Sequence, residues 1–267
     1  MPLLQKYQQH DFQNGFQTHN SILDIVPYQP EVIFIGTYNH GWSWNDSDFF
    51  YGRGMYMWTV LANLFQFNCN FLVLPRNANN LQPTLQQIFE ICERGKIVFA
   101  NIVKGLKEDI TATENIPERY VLINNKFKWG STLINGRRVG EYADTHLEAI
   151  AKYGWLDDNN DAIINYINET PSIRHIYFTF KSGKWLVENL NIICKNVRQN
   201  VSFCSIFTPT AKGFGTLLNA PYNTRAWGLT HCWVWNGLDH SYPINKHNYG
   251  HLNHDWLKDS GVNPNNF

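Results

Sequence analysis

The run Ile33-Phe34-Ile35-Gly36 constrains the fold more than any other part of the chain. Consecutive β-branched and aromatic residues that stop at a glycine describe a strand buried on both faces, as in a parallel sheet. A strand with one wet face would alternate apolar and polar residues instead. The glycine and the polar Thr37-Tyr38-Asn39 after it let the backbone approach a ligand closely at the carboxyl end of the strand, where open α/β sheets place their binding sites. Further along, Phe49-Phe50-Tyr51-Gly52-Arg53-Gly54 and Trp58 supply flat faces on which a planar ring can stack. Together the two segments describe a pocket for a nucleobase.

Similar short apolar runs recur, separated by stretches of helical period. They predict strands at 31–36, 71–74, 97–103, 174–180 and 201–207. Helices are predicted before Pro27, near Trp58 to Phe65, and at 83–93, 144–153, 158–169 and 183–196. The expected fold class is α/β, three-layered α/β/α with a central, mainly parallel sheet. Asn135-Gly136, a dipeptide suited to two-residue hairpin turns, marks an inserted hairpin at about 119–140. One domain spanning 1–267 is expected, with a core at about 28–217 and a C-terminal extension at 218–267 that is rich in Trp, His and Asn and carries no clear period.

A chain of 267 residues with 43% apolar content can bury one substantial core. It holds no apolar run of about 18 residues, which argues against a membrane span. Met1-Pro2-Leu3-Leu4-Gln5-Lys6 leads into polar sequence without an apolar signal core, so a cytoplasmic location is expected. Lys plus Arg is 22 and Asp plus Glu is 22, and a zero net charge excludes a nonspecific coater of nucleic acid. A small basic groove remains open to Lys104 and Lys107, Arg137 and Arg138, and Lys181 and Lys184.

The 5 cysteines are scattered without C-x-x-C spacing and read as reduced thiols, giving no support for an iron–sulfur cluster. His247, His251 and His254 could share a helical face, with His231 and His240 nearby, which raises the reading of a zinc-dependent hydrolase. Gly250 and the surrounding Asn residues weaken that helix, so no metal is expected. The turn after the first strand lacks G-x-G-x-x-G, so no dinucleotide cofactor is expected either.

The opening block resembles the first motif of the uracil-DNA glycosylase superfamily, nearest its mismatch-specific uracil and hypoxanthine-DNA glycosylase branches. In that motif an apolar strand ends in a glycine turn and leads to a Phe/Tyr-Gly run closed by Trp. Three further segments follow in the family's order. Ile97-Val98-Phe99-Ala100-Asn101-Ile102-Val103-Lys104, with Asp109 beyond, is similar to its middle strand and loop. Ile176-Tyr177-Phe178-Thr179-Phe180-Lys181 is similar to the strand that reads the base, and Phe207-Thr208-Pro209-Thr210-Ala211 to its late phosphate-gripping loop. The resemblance implies a uracil-DNA glycosylase-like fold and a monofunctional, metal-free DNA glycosylase acting on DNA that carries an altered base.

Such an enzyme must flip its target nucleotide into a fitted pocket, because the glycosidic bond is out of reach inside a duplex. Gly36, Thr37 and Tyr38 are expected to line that pocket, and Phe50, or else Tyr51, to stack on the base. Relatives read the base edge with an Asn where this chain has Thr179, and one hydroxyl cannot reproduce an amide's donor and acceptor pair. A damaged or modified base is therefore expected in place of plain uracil, in repair or in defence against phages with modified DNA such as glucosylated cytosine.

Relatives place their catalytic polar residue either just after the first glycine, here Tyr38, or before the Trp, here Met55 or Tyr56. Both slots are altered. Asn39 is the candidate to position water or stabilise a cationic sugar. Asp46 and Asp48 are candidates to activate water, although Asp beside Ser and Asn also forms ordinary turns. Asn101 shapes the base pocket in this reading. Arg53, Thr208, Thr210, Lys212 and the wedge Phe214 form the DNA contact. The alternative is a catalytically inactive nucleic-acid-binding protein of the same fold. A monomer is expected.

Overall fold

The computed structural model describes residues 26, 28–37, 56–65, 85–106, 121–123, 126–128, 133–134, 137–138, 147–148, 151–152, 154, 156–209, 222–235 and 249–267. The strands are β1 (Val32–Gly36), β2 (Ile97–Asn101), β3 (Val103–Leu106), β4 (Val121–Ile123), β5 (Lys126–Lys128), β6 (Leu133–Ile134), β7 (Arg137–Arg138), β8 (Leu156–Asp158), β9 (His175–Phe178) and β10 (Ser202–Ser205). The helices are α1 (Tyr56–Leu64), α2 (Leu85–Gly95), α3 (Asn160–Glu169), α4 (Lys184–Asn196), α5 (Tyr222–Trp235) and α6 (His254–Asp259), followed by a 3₁₀ turn at Pro264–Asn266.

Four strands form one parallel sheet in the order β2-β1-β9-β10. Every residue of β1 and β2 is buried, which is why both read as unbroken apolar runs. The chain moves one way across the sheet from β1 to β2 and the other way from β9 to β10. Since such crossovers are right-handed, α4 falls on the face opposite α1 and α2. The chain is thus an α/β protein with a parallel sheet covered on both faces.

Side chains alternate between those faces along each strand. On one face Phe34 stacks at 5.7 Å on Phe99 and at 5.6 Å on Trp233 of α5, and it meets Tyr177 at 5.3 Å. Trp58 of α1 meets Phe99 edge-on at 5.6 Å. All of α1 is buried, as expected for a helix enclosed between a sheet and a second helix layer. Ile33, Ile35, Val98, Ile176 and Phe178, on the opposite face, are buried as well.

The predicted strand at 97–103 is two strands. The ladder to β1 continues as far as Val103 N, which donates to Thr37 O at 3.0 Å, and β3 then pairs antiparallel with β8 through a register shift. The predicted hairpin is two short antiparallel pairs, β4 with β5 and β6 with β7, the second bracketing Asn135-Gly136. The predicted helix before Pro27 and strand at 71–74 lie outside the described residues. The C-terminal extension forms α5, α6 and the 3₁₀ turn.

At the amino ends of the strands Glu31 holds three chain segments together. Its carboxylate accepts from Lys96 at 2.5 Å and Arg174 at 2.9 Å. Burial pushes the Glu31 carboxyl up, but the hydrogen bonds and charges of Lys96 and Arg174 outweigh it and hold the group below its ordinary value. A carboxyl depressed in the folded state stabilises the fold above the unfolded-state value, near pH 4.3, and loses that effect as pH falls through the folded value. Glu31→Gln should therefore cost up to about 1 kcal/mol at neutral pH, the cations being half exposed. Paired denaturant titrations should show the difference from wild type shrinking below about pH 4.3.

Candidate functional site

The chain reverses direction across the sheet between β1 and β9, so a crevice opens beyond the carboxyl ends of these two strands, the place where open α/β sheets bind ligands. The described candidate residues meet there. Gly36 ends β1 and pairs in register with Asn101, which ends β2. Thr179 follows β9, and its amide continues the ladder to Ile35 O at 3.0 Å. Thr37 and Thr208 lie just past the ends of β1 and β10. Tyr38, Asn39, Asp46, Asp48, Phe50, Tyr51, Arg53, Thr210, Lys212 and Phe214 lie outside the described residues.

Hydrogen bonds fix the row. Ile102 N donates to Gly36 O at 3.0 Å, and Ile206 N to Phe178 O at 2.8 Å. The Thr208 hydroxyl donates to Thr179 O at 2.7 Å, which ties the end of β10 to the end of β9. With that proton committed, Thr208 offers a phosphate its backbone rather than its hydroxyl donor. Thr179 is buried, with its hydroxyl 3.4 Å from Ile35 O. Asn101 is 3% exposed, and its backbone carbonyl accepts from Asn159 Nδ2 at 3.2 Å.

The C-terminal extension also reaches this end of the sheet. Gly250 N donates to Ser205 O at 2.8 Å. Tyr249 stacks on Phe207 at 4.1 Å, and Lys181 Nζ lies 3.9 Å from the centre of the Tyr249 ring. With Phe207 against one face of that ring, the ammonium occupies the other, a cation–π contact that holds Lys181 beside Thr179 and Thr208. The sequence named Lys181 as part of a basic patch but missed Tyr249, whose partner is remote in the chain. Two other lysines of that patch face carboxylates, Lys104 at 3.7 Å from Asp157 and Lys184 at 3.9 Å from Glu188.

The amino end of α4, which follows β9, is the usual anion site of such folds. Here Glu148 fills it. Its Oε2 accepts from Trp185 N at 3.0 Å and its Oε1 from Leu186 N at 3.2 Å. The turn depends on Gly183, which has φ +102° and would carry a Cβ only 2.6 Å from Glu148 Oε1. Gly183→Ala is expected to cost about 1–3 kcal/mol through backbone strain and displacement of the cap. A lowered denaturant midpoint with an unchanged slope is the check.

Among the described residues no group of His, Cys, Asp and Glu is arranged to hold a metal. His251 precedes α6 rather than sharing a helical face with His254, and their ring nitrogens lie 2.8 Å from Leu252 O and Val234 O. The thiols of Cys92, Cys194, Cys204 and Cys232 are free, and burial pushes Cys204 up to about 11, so it is not a reactive thiolate. No described helix is long and apolar enough to cross a membrane. Comparison of the chain with protein-family models, with curated proteins and with solved structures found no match in any of the three.

Proposed function

We propose that this chain is a monofunctional DNA glycosylase with a uracil-DNA glycosylase-like fold, which hydrolyses the N-glycosidic bond of a damaged or modified base in DNA. The observation that carries this reading is the convergence of Gly36, Thr37, Asn101, Thr179 and Thr208, drawn from four separate sequence segments, at the carboxyl ends of one parallel sheet. The flipped base lies over the glycine end of β1 and stacks on Phe50 or Tyr51. Asn39 positions the water that attacks the sugar carbon as the base departs, and Asp46 or Asp48 takes the water's proton. Lys181, held by Tyr249, joins Arg53, Lys212 and backbone amides of the 208–214 loop on the phosphates. DNA with an altered base is the partner, the enzyme acts as a monomer without metal or cofactor, and it needs no membrane.

The test is mass spectrometry of free bases released from DNAs carrying uracil, hypoxanthine, 5-hydroxymethyluracil, mismatched thymine or glucosylated cytosine. Release of an altered base is expected, and Asn39→Ala should slow it by on the order of 10²-fold or more with DNA affinity retained. No release from any DNA would overturn the reading. A second reading, an inactive nucleic-acid-binding protein, draws on the Tyr38 and Thr179 departures from the family pattern. It predicts DNA binding with no release by the wild type.

A further inference from the structure

Asn101 Nδ2 is buried and has no hydrogen-bond partner among the described residues. Leaving a buried donor unpaired costs more than a typical hydrogen bond returns, and native folds keep few of them. Asn63 and Asn160 also hold an unpartnered side-chain atom, but in each it is the carbonyl oxygen. Their Nδ2 groups are tied down, Asn63 to Thr230 Oγ1 at 3.0 Å and Asn160 to Asn189 Oδ1 at 2.6 Å. An under-satisfied carbonyl is the commoner and cheaper case. Asn101 alone among these leaves its donor unspent, and it does so at the crevice.

Its position explains what the donor is for. Asn101 alternates with Phe99 along β2, which sets its amide on the α1 face of the sheet, in the row of Gly36 and Thr179. Gly36 lies between them and has no side chain. At the usual strand spacing Asn101 and Thr179 stand about 10 Å apart, the width of one heterocycle with a hydrogen bond at its edge. The Thr179 hydroxyl lies against Ile35 O, so the polar edge of a ring lying over Gly36 faces the Asn101 amide.

An amide nitrogen only donates. Resting on the glycosylase reading, we propose that Asn101 is a specificity-determining residue whose Nδ2 donates to a keto oxygen on the edge of the flipped base. The substrate class is then an altered base with a keto group there. Bases with an exocyclic amino group at that position, modified cytosines included, set donor against donor and are rejected.

Two readouts test this. The first is stability. Asn101→Leu, close in shape and apolar, removes a donor that bonds nothing in the protein, so the denaturant midpoint should hold or rise. A clear fall would assign the amide to a structural contact and overturn the proposal. The second is discrimination, measured as kcat/KM for base release from oligonucleotides carrying 5-hydroxymethyluracil against 5-hydroxymethylcytosine, and hypoxanthine against adenine. Wild type should favour the keto member by about tenfold or more, and Asn101→Leu should lose the preference. A preference unchanged in the variant, or one for the amino member, overturns the proposal and leaves the glycosylase reading standing.

Thermal shift by free uracil, hypoxanthine, cytosine and adenine separates the two claims. A shift by the keto bases only, lost in Asn101→Leu, without base release from any DNA would sink the glycosylase reading and keep Asn101 as the keto reader. Neither release nor a shift would overturn both.

Discussion

Trp256→Ala is expected to remove about 3–5 kcal/mol of stability, a large share of the 5–15 kcal/mol of an ordinary domain. Trp256 is 1% exposed. It lies 5.9 Å from Phe65 and 6.1 Å from Tyr177, ring centre to ring centre, and its indole N–H donates to Gly95 O at 3.0 Å. Truncation would open a cavity beside β9 and strand that carbonyl, and the loss would spread. The helix of Trp256 is capped by Asn253, whose Oδ1 accepts from Trp256 N at 2.8 Å, while Asn253 N donates to the Tyr177 hydroxyl at 2.7 Å. Leu252 N in turn donates to Trp233 O at 2.7 Å. Melting temperature should fall by on the order of 10 °C. Trp227→Ala, at a tryptophan that is 49% exposed, should cost under about 1 kcal/mol in the same assay. Equal effects at the two sites would contradict the anchoring role assigned to α6.

This anchor shows where the sequence stops being readable. Strands β1 and β2 are written as contiguous apolar runs, because burial on both faces leaves nothing to alternate, and their position, direction and glycine end follow directly. The end of β2 was harder. Ile102 and Val103 extend the apolar run without a break, yet the chain leaves the sheet there to pair with β8, a three-residue strand containing two aspartates that no period reveals. The C-terminal extension was harder still. α6 has 6 residues, too few for a helical period, and the partners of Trp256 and Trp233 lie 161 and 26 positions away. An aromatic residue announces that it will be buried but not against what.

The candidate site divides along the same line. Gly36, Asn101, Thr179 and Thr208 were legible because each sits just where an apolar run ends, and a parallel sheet collects the carboxyl ends of its strands on one side. Glu148 at the start of α4 and Tyr249 beneath Lys181 carry no local signature. A cap and a cation–π contact made across long stretches of chain appear only once the fold has brought the parts together. The Thr179 hydroxyl illustrates the limit. Its place in the row could be read from the run, but its hydrogen-bond geometry could not, and that geometry turns attention to Asn101.

Gly36→Ala should lower kcat/KM for base release by about 10²-fold while barely moving the unfolding midpoint. Position 36 is a buried strand residue in register with Asn101. An extended backbone accepts alanine, and replacing glycine shrinks the unfolded ensemble, which offsets part of any crowding. The added methyl alternates with Phe34 and therefore rises on the face where the base is proposed to lie, between Asn101 and Thr179. A displacement of about 1 Å at a reacting centre is enough to cost on the order of 10² in rate. Turnover and denaturant unfolding measured on one preparation separate the outcomes. Activity lost only in proportion to lost stability would make Gly36 a packing residue. Activity lost from a fully folded protein would fix the base over the end of β1, since a methyl group there touches little else.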